Sequence, residues 1–217
     1  MAVSRTFEQL DPKKKKRILS AAITEFATEG YAGASMNVLV EKLGIAKGSI
    51  FSYFQDKHGL FMFVFEQALE QVKRYLRRVR DETTSDDLFT RLEKTLLAGV
   101  SFIRAHPYIF RIYLRVLFEG DLPNRNTLIG SIRQHSIGYL TEFVEVAKQR
   151  GEIRPDIDST VAAFVIEAVL DRFLQGYCLE HLDTGMGLFG AGGDELERWA
   201  SGVIAVLRDG LGGQSQR

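Results

Sequence analysis

The chain has 217 residues, 28 Lys+Arg against 28 Asp+Glu, 45% hydrophobic residues and one cysteine. That is enough chain for a real core in one domain or two small ones, and a single cysteine excludes an intrachain disulfide. No run of about 18 apolar residues occurs, and the start MAVSRTFEQLDPKKKKR lacks the apolar stretch of a secretory signal, so no membrane span is expected and the cytoplasm is the expected location.

Charge is placed unevenly. Residues 1–80 carry 14 Lys+Arg against 8 Asp+Glu, and residues 81–217 carry 14 against 20. A basic front and an acidic back suit a nucleic-acid-reading part joined to a different one. Chance asymmetry on a solvated surface is the plain alternative.

Residues 1–11 read as a loose arm. Asp11 as cap and Pro12 at the first helical position open a helix over 12–29. Ile18, Ala22 and Phe26 form one row and Leu19 and Ile23 the next, which makes one apolar stripe. Gly30 ends the helix, and Tyr31 packs beneath the turn. Lys13, Lys14, Lys15, Lys16 and Arg17 form a basic run. Alone it fits a solvated cluster or a nuclear-localisation pattern. Beside the next segment, phosphate contact by one or two of these side chains is the better account, and Lys16 is assigned that role.

Residues 35–60, SMNVLVEKLGIAKGSIFSYFQDKHGL, organise the chain. A helix opens at Ser35, whose hydroxyl is expected to cap it. Leu39 and Leu43 recur four apart and bury one face. Gly44 stops the helix, since glycine accepts the left-handed backbone of a helix end, and Ile45 plugs the turn. A short second helix follows over 47–53. Its front carries Lys47, Gly48 and Ser49, and its back carries Ile50 and Phe54. Small residues permit close approach, and a lysine and a hydroxyl meet phosphates or base edges. The helix N-terminus itself favours anions. This is the profile of a helix inserted into a DNA major groove.

The stretch GIAKGSIFSYFQDKHGLF resembles the signature of the TetR/AcrR family of bacterial transcriptional repressors. The family pattern T-x-x-x-I-A-x-x-A-G-V-S-x-G-T-[LI]-Y-x-[HY]-F-x-x-K-x-x-L is met by Ser35, Leu39, Gly44, Ile45, Gly48, Ser49, Ile50, Tyr53, Phe54, Lys57 and Leu60. The chain departs from it at Val40 and Leu43, where small alanines are usual, and at Phe51, where tyrosine is usual. A phenyl ring packs there but donates no hydrogen bond to phosphate. The motif is long and dense, and it covers roughly the first quarter of the chain.

The resemblance implies an all-α protein of about nine helices. An N-terminal three-helix helix-turn-helix DNA-binding domain would occupy residues 1–56, and a C-terminal helical ligand-binding and dimerisation domain residues 57–217. It implies a non-enzyme with no cofactor, whose partners are double-stranded DNA, a small-molecule effector and a second copy of the chain. The expected DNA-contacting residues are Lys16, Ser35, Met36, Lys47, Gly48, Ser49, Ser52, Tyr53 and Lys57, the last carried over from the family's phosphate-contacting lysine. Two copies would join through the last two long helices and present their short helices to successive major grooves of a near-palindromic operator.

Asp56 caps a helix over 57–81. Its first part is apolar (Leu60, Phe61, Val64, Phe65), and its second carries Lys73, Arg74, Arg77, Arg78 and Arg80, read as a solvated face. This helix is the expected connector, and ligand binding would shift it and change the spacing of the reading heads. His58 is expected on the surface. A polar break at 83–87 leads into a helix over 85–105, closed by His106-Pro107. The helix over 107–119 is apolar nearly all round and should be buried or line a cavity. A helix over 125–150 is stopped by Gly151. The helix over 158–182 has two wide apolar faces, one for the core and one for a partner subunit. Cys178 lies within it and reads as a small core residue. The last helix covers 194–211, and 212–217 read as a disordered tail.

Other motifs carry less. Gly185, Gly187 and Gly190 match G-x-G-x-x-G, but that fingerprint needs a strand before it and a helix immediately after, so the segment reads as a linker. His58, His106, His135 and His181 lack paired metal-ligand spacing, so no metal site is expected. No nucleophile stands in a recognisable catalytic motif.

The resemblance implies an effector pocket among the later helices. Its candidates are Phe102, Tyr113, Phe118, His135, Tyr139, Phe143, Glu167, Asp171, Phe173 and Tyr177. Core packing of the aromatic rings and exposure of the polar groups is the plain alternative. Glu167 and Asp171 lie one turn apart, and if buried each needs a partner or a proton. They orient a cationic or hydroxylated ligand, or they pair with arginines across the dimer interface; the sequence leaves both open. Two rival functions also stand: an activator or ligand-independent regulator of the same fold, and an all-α enzyme or carrier for a lipophilic molecule, whose catalytic or cofactor motif the sequence does not show.

Overall fold

The structure, a computed structural model, describes residues 4–209, with the Lys47 side chain outside the description. All regular structure among the described residues is helical, in eleven helices. They are α1 (Arg5–Glu8), α2 (Pro12–Gly33), α3 (Met36–Leu43), α4 (Lys47–Phe54), α5 (Lys57–Glu82), α6 (Leu88–Ala105), α7 (Pro107–Phe118), α8 (Arg125–Gln149), α9 (Ser159–Cys178), α10 (Glu180–Asp183) and α11 (Gly193–Asp209). The tail expected at 212–217 lies outside the described residues.

The chain packs as two compact units, one of residues 1–73 and 106–129 and the other of residues 74–105 and 130–217. In the first, Ile18, Phe26, Leu39, Ile50, Leu60 and Val64 form a core from which water is excluded. α2 opens as its sequence dictates, with the Asp11 carboxylate accepting from the Lys13 N–H and Pro12 at the first turn. Gly30 breaks the helix at φ 70°, ψ 178°, a backbone open essentially to glycine alone. The freed carbonyls there are taken by Arg115 of α7, whose Nε donates to the Ala27 oxygen at 2.9 Å and Nη2 to the Thr28 oxygen at 2.6 Å. Glu119 pairs with the same guanidinium. α7 is less enclosed than its composition suggests. Ile109, Ile112 and Val116 are buried, but Tyr108 and Phe118 stand exposed, because one packed face leaves the opposite side of a helix to solvent.

Residues 4–11 are not a loose arm, and residues 1–3 lie outside the described residues. α1 forms one turn, its Ser4 Oγ accepting from the Phe7 N–H, and Phe7 is buried against Tyr53, Phe54 and Phe63. A single turn does not hold itself; burial of a phenyl ring, worth about 2–3 kcal/mol, supplies the order.

In the second unit the core includes Leu88, Leu92, Leu96, Val144, Ala163, Ala200 and Ile204. α6 starts three residues later than expected, since Asp87 caps it through the Phe89 and Thr90 N–H groups. α9 is capped by Asp158, which accepts from Thr160 and Val161. It ends at Cys178 rather than running to 182. Leu179 turns extended at φ −124°, ψ 107°, and the chain restarts as α10. The glycine-rich segment is a loop between α10 and α11, held by the Asp183 carboxylate accepting from the Gly187 and Leu188 N–H groups. No helix among the described residues is long and apolar enough to cross a membrane.

Candidate functional site

α3 and α4 form the expected helix-turn-helix. Gly44 ends α3 in the left-handed region at φ 63°, and Ile45 follows it half-buried. Ser35 does occupy the cap position of α3, but its hydroxyl makes no capping bond. Its N–H instead donates to Glu25 Oε1 at 3.1 Å, and Lys42 of α3 reaches the other oxygen of the same buried carboxylate at 2.8 Å. Glu25 therefore ties α3 to α2 from beneath. A buried carboxylate with two partners fixes orientation as well as contributing energy.

α4 shows two faces. Ile50 and Phe54 are buried at its back, while Gly48 and Ser52 are exposed at its front. A β-carbon at Gly48 would meet open space. Phe51 is 41% exposed on the same short helix. The front of α4 is thus free to meet a partner surface.

The far end of α4 is tightly made. Gln55 sits at φ 66°, ψ −58°, and the Asp56 N–H donates to the Phe54 carbonyl at 2.8 Å, which is a γ-turn of positive φ. Asp56 then caps α5 by accepting from the Gly59 N–H at 2.7 Å. A β-carbon on Gly59 would lie 2.1 Å from the Phe54 carbonyl oxygen, so only glycine fits there.

The expected DNA contacts divide by exposure. Lys16, Gly48 and Ser52 are exposed, and Ser35 and Ser49 are half-buried. Met36 and Tyr53 are buried, Tyr53 with its ring edge-on to Phe7. Lys57 directs its ammonium to the Ala32 and Ala34 carbonyls at 3.0 and 3.2 Å and lies over the Tyr31 ring. The basic run also has structural work: Lys15 binds the Glu8 carbonyl and Arg17 the Leu43 carbonyl. Asn37 and Val38, exposed on α3, were not picked out from sequence, although their spacing from Leu39 and Leu43 already put them on the outer face. His58 is half-buried rather than exposed, with Nε2 near the Asn124 amide and Nδ1 enclosed.

The effector candidates fall into separate groups. Tyr113 and Phe118 belong to the first unit, where Phe118 is 59% exposed. The rest belong to the second. Phe102 and Phe173 are core residues, and His135 is exposed with Nδ1 near the Ser131 carbonyl. Tyr177 accepts from Arg104 Nε at 2.7 Å, and the same guanidinium donates to the Ala191 carbonyl. The Tyr139 hydroxyl donates to the Leu76 carbonyl at 3.2 Å, and burial pushes its pKa up to about 12. Its ring packs on Phe143, whose other partner is the buried Arg91 guanidinium at 3.7 Å.

Glu167 and Asp171 come together on one cation. Arg133 of α8 pairs with the Glu167 carboxylate and, at 2.8 Å, with Asp171, which also accepts from Gln175. Burial raises the Glu167 pKa above the ordinary carboxylate range, with the Arg133 charge pulling the other way. The cluster lines a half-open groove of about 430 Å³ that also touches Phe164, Ala168 and Arg172. Its volume suits a small ligand. Among the described residues no group of three or more His, Cys, Asp or Glu is placed to hold a metal ion.

Known proteins share this arrangement. Residues 18–62 match the family described as "Bacterial regulatory proteins, tetR family". The HTH-type transcriptional repressor AcnR of Corynebacterium diphtheriae is 27% identical over 162 residues, 74% of this chain and 79% of that protein. A TetR family transcriptional regulator from Chloroflexus aurantiacus is 28% identical in a crystal structure that superposes with a TM-score of 0.69, covering 97% of this chain and 98% of that one. FadR from Bacillus subtilis in complex with stearoyl-CoA shares the fold at 18% identity, with a TM-score of 0.71 over 91% of this chain and 99% of that one. Residues 18–62 thus carry the helix-turn-helix of the TetR family of bacterial transcriptional regulators, and over most of its length the chain is similar to regulators of that family.

Proposed function

We propose that the protein is a homodimeric repressor of the cytoplasm that holds a near-palindromic operator and releases it when a small apolar molecule binds. DNA reading is assigned to residues 1–56, and effector binding and dimerisation to residues 57–217. The observation that carries this reading is the two-faced α4, with Ile50 and Phe54 sealed behind and Gly48 and Ser52 open in front. Gly48, Ser49, Ser52 and Lys47 approach the base edges, and Lys16, Ser35 and Lys57 meet phosphates. Phe51 adds apolar contact without a hydrogen bond. Met36 and Tyr53 act from beneath the surface.

Dimerisation is supported by the outer faces of α9 and α11. Val161, Phe164 and Val165 form one stripe on α9, with Val161 57% and Phe164 63% exposed. α11 offers exposed Gly202, Ala205 and Val206, small enough for helices to approach closely. Two copies of each helix make a four-helix interface.

The effector class draws on the stearoyl-CoA bound by the structurally similar FadR. We take an acyl thioester as the first class to test. The purified chain is incubated with a randomised duplex library, and retained sequences are titrated against salt with and without stearoyl-CoA. Two copies per near-palindromic duplex and release on adding the acyl-CoA are expected. Lys57→Ala should weaken every duplex and reduce the slope of log affinity against log salt by about one phosphate's worth. Retention of no duplex at low salt overturns the DNA reading, and retention insensitive to acyl-CoA overturns the effector class.

A further inference from the structure

We propose that α1 is a clamp on the reading helix, with Phe7 as a positioning residue that sets the aim of α4 at DNA. The proposal rests on α4 being the reading helix. α4 has only eight residues, so displacement at one end moves the other. Its C-terminal end is strained. Gln55 carries a side chain at φ 66°, ψ −58°, in a γ-turn that side-chain-bearing residues rarely adopt. Such a backbone persists when its surroundings over-determine it.

α1 supplies part of that constraint. The Phe7 ring lies 5.7 Å from Tyr53, 4.9 Å from Phe54 and 5.2 Å from Phe63 of α5, wedged between the last turn of α4 and the helix that follows. The Ser4 N–H donates to the Tyr53 carbonyl at 3.1 Å, one of the carbonyls that a helix end leaves without a partner. One aromatic wedge and one main-chain bond thus act on the two residues directly before the strained position. α1 is itself pinned from the other side, since Lys15 of α2 binds the Glu8 carbonyl. Arg5, Thr6 and Glu8 face solvent, so the inward side chain of this turn is Phe7.

With Phe7 removed, Gln55 is released from one of its constraints and relaxes, and the last turn of α4 rotates with Ser52 and Tyr53. Binding to a chosen sequence then falls, because base contacts need geometry. Binding to arbitrary DNA does not, because phosphate contacts depend on charge.

The test uses the full chain and the duplex retained by the wild type from a randomised library, beside a scrambled duplex of equal length. Phe7→Ala is expected to weaken the retained duplex about tenfold or more, leave the scrambled duplex and the salt slope unchanged, and speed amide hydrogen exchange at residues 51–55 of the free protein. Phe7→Leu should recover most of the affinity. Ser4→Pro suits the φ of −64° at that position and deletes both the N–H and the hydroxyl that caps the Phe7 N–H, while keeping the Phe7 side chain itself. It should weaken the retained duplex several-fold and keep the argument testable if Phe7→Ala fails to fold. Folded Phe7 and Ser4 variants with wild-type discrimination between the two duplexes overturn the clamp. So does a loss shared equally by both duplexes with a shallower salt slope, which would make α1 a phosphate contact. A wild type that retains no duplex overturns the DNA reading and the clamp together.

Discussion

The Arg115 guanidinium closes the carbonyl end of α2 where Gly30 breaks it. Two of its nitrogens serve the Ala27 and Thr28 oxygens, and a third pairs with Glu119. A β-carbon on Gly30 would stand 2.8 Å from Arg115 Nη1 and 2.9 Å from a Glu119 oxygen. Gly30→Ala therefore meets both a forbidden backbone and an occupied space, and is expected to cost about 2–4 kcal/mol. Arg115→Ala should cost about 2–3 kcal/mol by stranding the carbonyls. Lysine will not replace it, because a point charge cannot serve three acceptors in a plane. Urea unfolding midpoints check both, and a double mutant should lose less than the sum, since the two residues share one contact.

Glu167 gives a pH dependence of definite sign. Its folded pKa is raised, by burial first, so the native state holds this proton more tightly than the unfolded chain does. Its contribution is fully present below the ordinary carboxylate pKa of about 4.3 and is lost as pH rises through the raised value. The stability of Glu167→Gln relative to wild type should therefore grow as pH rises from about 4 to 7. Denaturant titrations at several pH values measure it. A difference that shrinks with pH would mean the Arg133 charge outweighs burial.

Cys178 should be chemically quiet. It is half-buried on α9, and burial pushes its thiol up to about 11. The thiolate is the reactive form, so a disulfide reagent at pH 8 should modify the native chain about a hundredfold more slowly than the unfolded chain. Rapid labelling without denaturant would show an open helix end at Leu179.

Phe164→Glu tests the dimer. A carboxylate in the middle of the apolar α9 stripe would be stripped of water in the assembled pair. The variant should run at the monomer mass in light scattering, keep its helical circular dichroism, and lose affinity for a palindromic duplex. A dimer that survives the change places the interface elsewhere.

The helix-turn-helix was legible because its signals are local. Gly44 must turn left-handed, Asp56 must cap, and Ile50 and Phe54 fall on one side of a short helix whatever lies behind them. What was not legible depends on contacts distant in sequence. Phe7 looks like an isolated aromatic in a polar arm until Phe63 and the end of α4 close around it. Ser35 occupies the predicted cap position, yet its N–H goes to Glu25, ten residues earlier, which no capping rule anticipates. α9 stops at Cys178 although apolar residues continue at Leu179 and Leu182, because periodicity records which face is oily and not where the backbone bends. Arg133 on α8 was not singled out from sequence, although Glu167 and Asp171, if buried, each needed a partner or a proton. The basic run hid a division of labour, since Lys15 and Arg17 bind carbonyls within the protein.

Gly59 has a mechanical consequence. With no room for even one carbon between it and the Phe54 oxygen, the joint from α4 to α5 has no backlash, and a tilt of α5 at this end is inherited by α4 rather than absorbed in the turn. From Lys57 to Lys73 the helix forms a rigid arm about 25 Å long, on which a swing of about two degrees displaces the far end by roughly 1 Å. Groove contacts are sensitive on that scale, so a larger residue at position 59, by forcing slack into the joint, would detune the lever without touching DNA or effector.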